Sequence, residues 1–308
     1  MPHGHRLAVI LTSVSTVLAL LGCSSSDQHN EFACIEDEVV GWGDSLTWSA
    51  VKTDDGYEQA DPTWLEVLSE DLSVDTMNFG EPSQGSAEIA VRQGGLKPTV
   101  TLDRNEIPAG TTDSSLITTI TPGDGWTQNR NAGTMKMKGT LSGVRGTLEH
   151  TIQSGEESFA FIPDSPPEAA VPVPPQTPFV GNQGYRYRDC VQIIWAGTNN
   201  SRQDLAITRD IASMVSWIPE PKRYLIVGTI SGTRNALAAA YGPRFVDLRS
   251  WLITEGLAAA GVAPTPDDTK AILANQMPPS LSGDGTHFTQ AAYTAIGHHL
   301  ASVIKAQS

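Results

Sequence analysis

The chain has 308 residues, 39% of them apolar and 18% charged, with 28 Gly and 20 Pro. That length suits one large α/β core or a core carrying an insertion, and the composition is that of a folded, turn-rich protein, which excludes disordered and fibrous classes. The formal net charge of −14 repels phosphate backbones and no cluster of Lys and Arg interrupts it, so nucleic acid is excluded as a partner.

In chain order, His3, His5 and Arg6 precede an apolar run at residues 7–21, too short for an ordinary membrane span. Residues 1–22 therefore read as a secretory signal. The run ends in Leu20-Leu21-Gly22-Cys23 and three serines follow, which resembles the bacterial lipobox, whose cysteine is acylated and becomes the new N-terminus. The resemblance implies an exported lipoprotein anchored in the bacterial cell envelope through Cys23, with residues 23–33 as a polar tether. A plain signal peptide with an incidental Cys23 is the alternative. Cys34 and Cys190 each immediately precede a strand-like run. If those strands are parallel neighbours, both cysteines sit at the same sheet end, and a disulfide between them is expected.

Residues 38–42 predict a first strand. Asp61-Pro62 then offers an N-cap and an N1 proline to a helix through Trp64, Leu65 and Leu68, and residues 74–79 predict a second strand. Continuous apolar strands are expected at 191–196, 224–227 and 245–248, with helices over 201–218 and 289–305. Together these describe an open, doubly wound parallel sheet with helices on both faces, in which function gathers at strand C-terminal ends. Residues 96–185 break that rhythm, being rich in Thr, Gly and Pro and alternating polar with apolar. They predict an inserted β-rich subdomain with strands at 99–103, 116–120, 134–138, 147–153 and 158–162, and turns at Gly123-Asp124-Gly125 and Ser142-Gly143. Residues 165–178 read as a Pro-rich exit linker. The main domain is thus expected over 34–95 and 186–308.

Three loops carry chemistry. Gly43-Asp44-Ser45-Leu46 ends the first strand and presents a hydroxyl to the crevice. A serine nucleophile needs a base. His3 and His5 fall in the signal, His29 in the tether, His150 in the β segment, and His298 and His299 on the last helix, which leaves His287. Asp284, three residues earlier in Asp284-Gly285-Thr286-His287, folds back onto its Nδ1–H. Asn199, in Gly197-Thr198-Asn199-Asn200, offers an amide to an oxyanion, while Asn200 suits the capping of a helix.

These segments, with Asn78-Phe79-Gly80 between them, occur in the order and at the strand ends seen in the SGNH, or GDSL-type, serine hydrolases, and the chain resembles that family over about residues 35–95 and 186–308. The stretch Ile89 to Gly95 also looks like the second motif's continuation in carbohydrate-esterase-like members. The resemblance implies a flavodoxin-like three-layer αβα fold and metal-free ester hydrolysis without a cofactor. It assigns Ser45, His287 and Asp284 as catalytic triad, and the Ser45 N–H and Asn199 as oxyanion donors. Ser83 stands where the family's oxyanion glycine is usual, with Gly80 and Gly85 as alternatives. The expected activity is acyl-enzyme hydrolysis of short acyl esters, acetyl on carbohydrate first and lipid esters second. An acyltransferase and an inactive glycan-binding envelope lipoprotein are the rival readings.

Overall fold

Strands form where apolar residues run without interruption, because such a run can be buried on both faces of a parallel sheet. The computed structural model describes Met1 and residues 38–307. The signal, the tether, Cys23 and Cys34 lie outside the described residues. From the start of the described chain come β1 (Val39–Gly43), α1 (Ser45–Trp48), a hairpin of β2 (Ala50–Thr53) and β3 (Gly56–Gln59), α2 (Trp64–Leu72), β4 (Thr76–Gly80) and α3 (Ser86–Gln93). Next are β5 (Thr99–Leu102), β6 (Glu106–Ile107), β7 (Ser115–Thr121), β8 (Gly133–Leu141), β9 (Val144–Gln153), β10 (Glu156–Pro163), β11 (Val171–Pro172) and β12 (Thr177–Gly181). Strand and helix then alternate through β13 (Val191–Trp195), α4 (Asp204–Trp217), β14 (Tyr224–Val227), α5 (Arg234–Tyr241) and β15 (Phe245–Val246). The chain closes with α6 (Leu248–Thr254), α7 (Gly256–Ala259), α8 (Pro266–Leu273) and α9 (Gln290–Gln307).

The main sheet has the order β15-β14-β13-β1-β4 and every pairing is parallel. The strand order reverses between β1 and β13, so a crevice opens outside their C-terminal ends. Alternate side chains serve two cores: Val40, Trp42, Ile194 and Ile226 pack with α3 and α4, whereas Val39, Ile193, Trp195 and Leu225 pack with α2, α6 and α9. The helix α2 starts from Thr63, whose hydroxyl and amide exchange hydrogen bonds with Glu66, and not from the expected Asp61-Pro62. The reciprocal Thr63/Glu66 box satisfies two free N–H groups, which an Asp followed by proline cannot match. β1 and β13 are parallel neighbours, and Cys190, buried just before β13, is disulfide-bonded.

Six antiparallel strands between α3 and β13 close into a barrel in the order β10-β7-β5-β12-β8-β9. Their alternating pattern turns Met137, Leu141, Leu148, Phe161 and Phe179 inward, and these side chains join the same core as α3 and α4. The described residues from 38 onward form one compact unit. Two features differ from expectation. The Pro-rich segment at 165–178 does not simply exit, because Thr177 and Pro178 open β12, the strand that closes the barrel between β5 and β8. Gly123-Asp124-Gly125 does not join two paired strands either. It docks on α3 and the start of α4, with Ala87 N–H donating to Gly125 O at 2.8 Å and Gly125 N–H to Gln203 Oε1 at 2.8 Å.

Gly139 and Gly146 face each other on β8 and β9, and the rings of Phe179 and Phe161 lie over the gap their missing side chains leave. A Cβ at Gly146 would stand 2.5 Å from Phe161 Cζ and 2.4 Å from Ile162 O. Gly146→Ala is expected to lower stability by about 1–3 kcal/mol, the usual cost of overpacking; equilibrium denaturation that places it level with the wild type would show that the barrel has slack there.

Candidate active site

Ser45 is the first residue of α1, directly after β1, and is 6% exposed. Gly43 makes this turn possible by close approach and not through a left-handed backbone: a Cβ there would lie 2.0 Å from Thr47 Oγ1 and 2.3 Å from Trp195 O. The carbonyls of α1 are held from outside, Trp64 Nε1–H donating to Leu46 O and Thr47 O and Asn78 Nδ2–H to Thr47 O at 3.0 Å. Asp44 caps the turn by accepting from Leu46 N–H at 3.0 Å. Burial pushes the Asp44 carboxyl up to about 6, only partly offset by the Leu46 N–H and neighbouring Thr198.

The loop before α9 is pinned by buried Leu281 and Phe288, with Ser282 Oγ–H donating to His287 O at 2.9 Å. Between the pins, Asp284 Oδ1 accepts from the N–H groups of Thr286 and His287, and Oδ2 accepts from His287 Nδ1 at 2.8 Å. Burial would raise the Asp284 carboxyl, yet these bonds and one from Tyr57 hold it well below the usual carboxylate range. A carboxylate only accepts, so Nδ1 carries the proton and Nε2 is left as the acceptor facing Ser45 Oγ at 2.8 Å. The three groups form a continuous relay capable of deprotonating a hydroxyl.

Ser45, Ser83, Asn199 and His287 line one chamber of about 190 Å³. The three backbone candidates for an oxyanion donor separate cleanly. Gly80 N–H donates to Asn78 Oδ1 at 2.9 Å and Gly85 N–H to Glu88 Oε2 at 2.9 Å, so both are occupied. Ser83 N–H donates to no group among the described residues. Ser83 has φ +71°, a conformation that favours glycine, so the chain holds a serine where the backbone asks for a residue without Cβ. Asn199 donates one amide hydrogen to Gln84 O at 2.9 Å, which ties it to this turn and leaves its second hydrogen for a ligand. Asn200 is wholly buried and satisfies the start of α3, accepting from Ser86 N–H at 3.0 Å. It therefore serves a helix that precedes it by over a hundred residues.

Sequence reasoning missed two groups here. Tyr57, on β3, donates its hydroxyl to Asp284 Oδ2 at 2.8 Å and sets its ring 4.7 Å from the His287 ring. Nothing near Tyr57 in sequence signals this, although a lone aromatic on a polar hairpin is a clue. The second is the ground under the turn that carries Ser83. Arg92, buried, donates to Gln84 Oε1 at 2.6 Å, Phe79 O at 3.0 Å and Gly43 O at 3.2 Å. Burial lowers its pKa to about 10, so it remains a cation at neutral pH. Glu88, also fully buried, accepts from Gly85 N–H, from Thr127 N–H at 3.1 Å and from His150 Nδ1 at 2.7 Å, while His150 Nε2 reaches Glu157 at 2.8 Å.

No protein-family model and no curated protein sequence matches the chain. Among solved structures, the chain is similar to an aryl esterase from M. smegmatis, at 16% identity and TM-score 0.39 over 88% of this chain and 99% of that one. It is also similar to a carbohydrate acetylesterase from Sinorhizobium meliloti, at 13% identity and TM-score 0.40 over 89% and 100%. Likenesses this slight carry no argument about function, which rests on the geometry above.

Two substitutions test that geometry. Tyr57→Phe removes one donor to Asp284 and is expected to slow labelling of Ser45 by a fluorophosphonate by about tenfold, the worth of one hydrogen bond to a charged group. An unchanged labelling rate would make Tyr57 a bystander. The folded carboxyl of Asp44 sits above its unfolded value of 3.8, so the folded state binds the proton more tightly and loses stability as pH rises from about 4 through about 6. Asp44→Asn lacks that loss, and its stability relative to wild type should therefore increase by about 3 kcal/mol between pH 4 and pH 8. Urea melts showing a constant difference would mean that Asp44 titrates as an ordinary carboxyl.

Proposed function

We propose that the chain is an exported serine ester hydrolase of the SGNH type, anchored in the bacterial envelope through Cys23, that removes short acyl groups, acetyl above all, from carbohydrate. The observation that carries the hydrolase reading is the unbroken Ser45–His287–Asp284 relay, with 2.8 Å at each link, opening into a chamber beside an unoccupied backbone N–H.

In this reading Ser45 Oγ attacks the ester carbonyl as His287 Nε2 takes its proton. Asp284 holds the imidazole in the required tautomer and balances the imidazolium, and its low affinity for protons keeps it charged throughout. The carbonyl oxygen becomes an oxyanion held by the Ser45 N–H, the Ser83 N–H and the free Asn199 amide hydrogen, each such donor contributing about 3 kcal/mol. The tetrahedral intermediate collapses, His287 passes its proton to the departing alcohol, and water repeats the route to release the acid.

The preference for short acyl groups follows from size. A chamber of about 190 Å³ is smaller than the roughly 300–1,000 Å³ typical of sites for drug-sized ligands. A second chamber of about 630 Å³ adjoins it and offers room for the alcohol portion.

Hydrolysis of p-nitrophenyl acetate by the full chain is expected to fall by about four orders of magnitude or more in Ser45→Ala. Activity is expected to fall as the acyl chain lengthens. Turnover that survives Ser45→Ala would reject the nucleophile, and a maximum with long chains would replace the carbohydrate reading with a lipid one.

A further inference from the structure

The barrel reaches the cleft through the segment between β7 and β8, residues 122–132. This segment is fastened along its length. Thr127 N–H donates to buried Glu88, and Gln128 N–H donates to Asn199 O at 3.2 Å. Asn129 N–H donates to Thr127 Oγ1 at 3.2 Å, Asn129 Oδ1 accepts from Asn131 N–H at 3.2 Å, and Asn129 O accepts from Ala132 N–H at 2.9 Å. A loop fixed by so many bonds holds its side chains in place, as recognition requires.

Asn129 and Asn199 are the two residues that line both chambers, the small one with Ser45 and the large one beside it. The Nδ2 hydrogens of Asn129 donate to no group among the described residues, so its amide is a donor left over on a residue that lines both chambers. Among the described residues that line the large chamber there is no Asp, Glu, Lys or Arg, and they include Gln128, Ser201, Thr229, Ser231, Thr286 and the apolar Phe288. Neutral amides and hydroxyls can pair with hydroxyl groups, but they give no counter-charge to an ionic ligand.

We propose that Asn129 is a specificity-determining residue, offering its amide to a hydroxyl of a neutral polyhydroxylated alcohol portion such as an uncharged sugar, and that the barrel delivers it. The proposal rests on the serine-hydrolase reading and adds the side of the substrate that the barrel recognises. An alcohol portion without hydroxyls gains nothing from Asn129, so the residue acts on the choice between substrates.

The test compares kcat/KM for an acetylated methyl glycoside with kcat/KM for p-nitrophenyl acetate in the full chain, in Asn129→Ala and in Asn129→Leu. Leu keeps the branched shape and removes the donor. Asn129 is exposed, so neither change opens the core. The ratio of the two constants is expected to fall about tenfold in both variants, as for loss of a single substrate hydrogen bond. A ratio within about twofold of wild type in both variants overturns the proposal. So does a wild type that cleaves p-nitrophenyl acetate in a Ser45-dependent way but leaves the glycoside intact, an outcome that spares the hydrolase reading. A wild type inert towards both esters removes that reading and this proposal together.

Discussion

A carboxylate shut away from water must find its hydrogen bonds inside the protein, because leaving it unpaired costs several kcal/mol. Glu88 has no exposed surface, and three separate parts of the chain answer it: Gly85 N–H from the turn after β4, Thr127 N–H from the barrel loop and the ring of His150 from β9. Local order in the cleft therefore depends on the barrel being present. His150 faces Glu88 through Nδ1 and Glu157 through Nε2. Its ring is stacked 4.3 Å from Phe159 and meets the edge of Trp126 at 5.8 Å, so aromatic packing fixes the direction of both bonds.

Arg92 plays the complementary part beneath the sheet ends. Its guanidinium joins the end of β1, the end of β4 and the turn carrying Ser83, three segments whose relative placement decides whether an oxyanion would meet its donors. The planar fork of an arginine suits this task, since it reaches several acceptors in one plane at once. The site is also where the chain departs from low-energy choices. Asp44 is buried with a carboxyl that burial pushes up to about 6, and Ser83 occupies a left-handed backbone. Both lie within a residue or two of groups given roles in the proposed chemistry, as expected where structure is held against local preference.

Much of the core was legible from local pattern. The apolar runs around Val40, Ile193 and Leu225 show as strands because a strand buried on both faces has no polar alternation to disguise it. The Asp284–His287 pairing is short-range, so spacing alone suggests it. The start of α2 was misread because Asp61-Pro62 satisfies one common rule for helix starts while Thr63 and Glu66 satisfy a stronger one two residues later. The closing strand β12 was hidden because it opens with Thr177 and Pro178 at the end of a Pro-rich stretch that resembles a linker, and it becomes a strand only between β5 and β8.

The sequence by itself determined which residues seek burial, where strand and helix alternate, and that one serine follows the first strand while one histidine and one aspartate share a loop before the last helix. Those properties depend on side-chain chemistry and on neighbours a few residues away. Only the tertiary structure decided that Tyr57 meets Asp284 across 227 positions, that Glu88 is answered from the barrel, and that Asn129 lines the same chamber as Ser45. Such contacts depend on how distant segments pack around a shared buried charge or ring, and periodicity, which reports only which face is buried, holds no record of what will cover it.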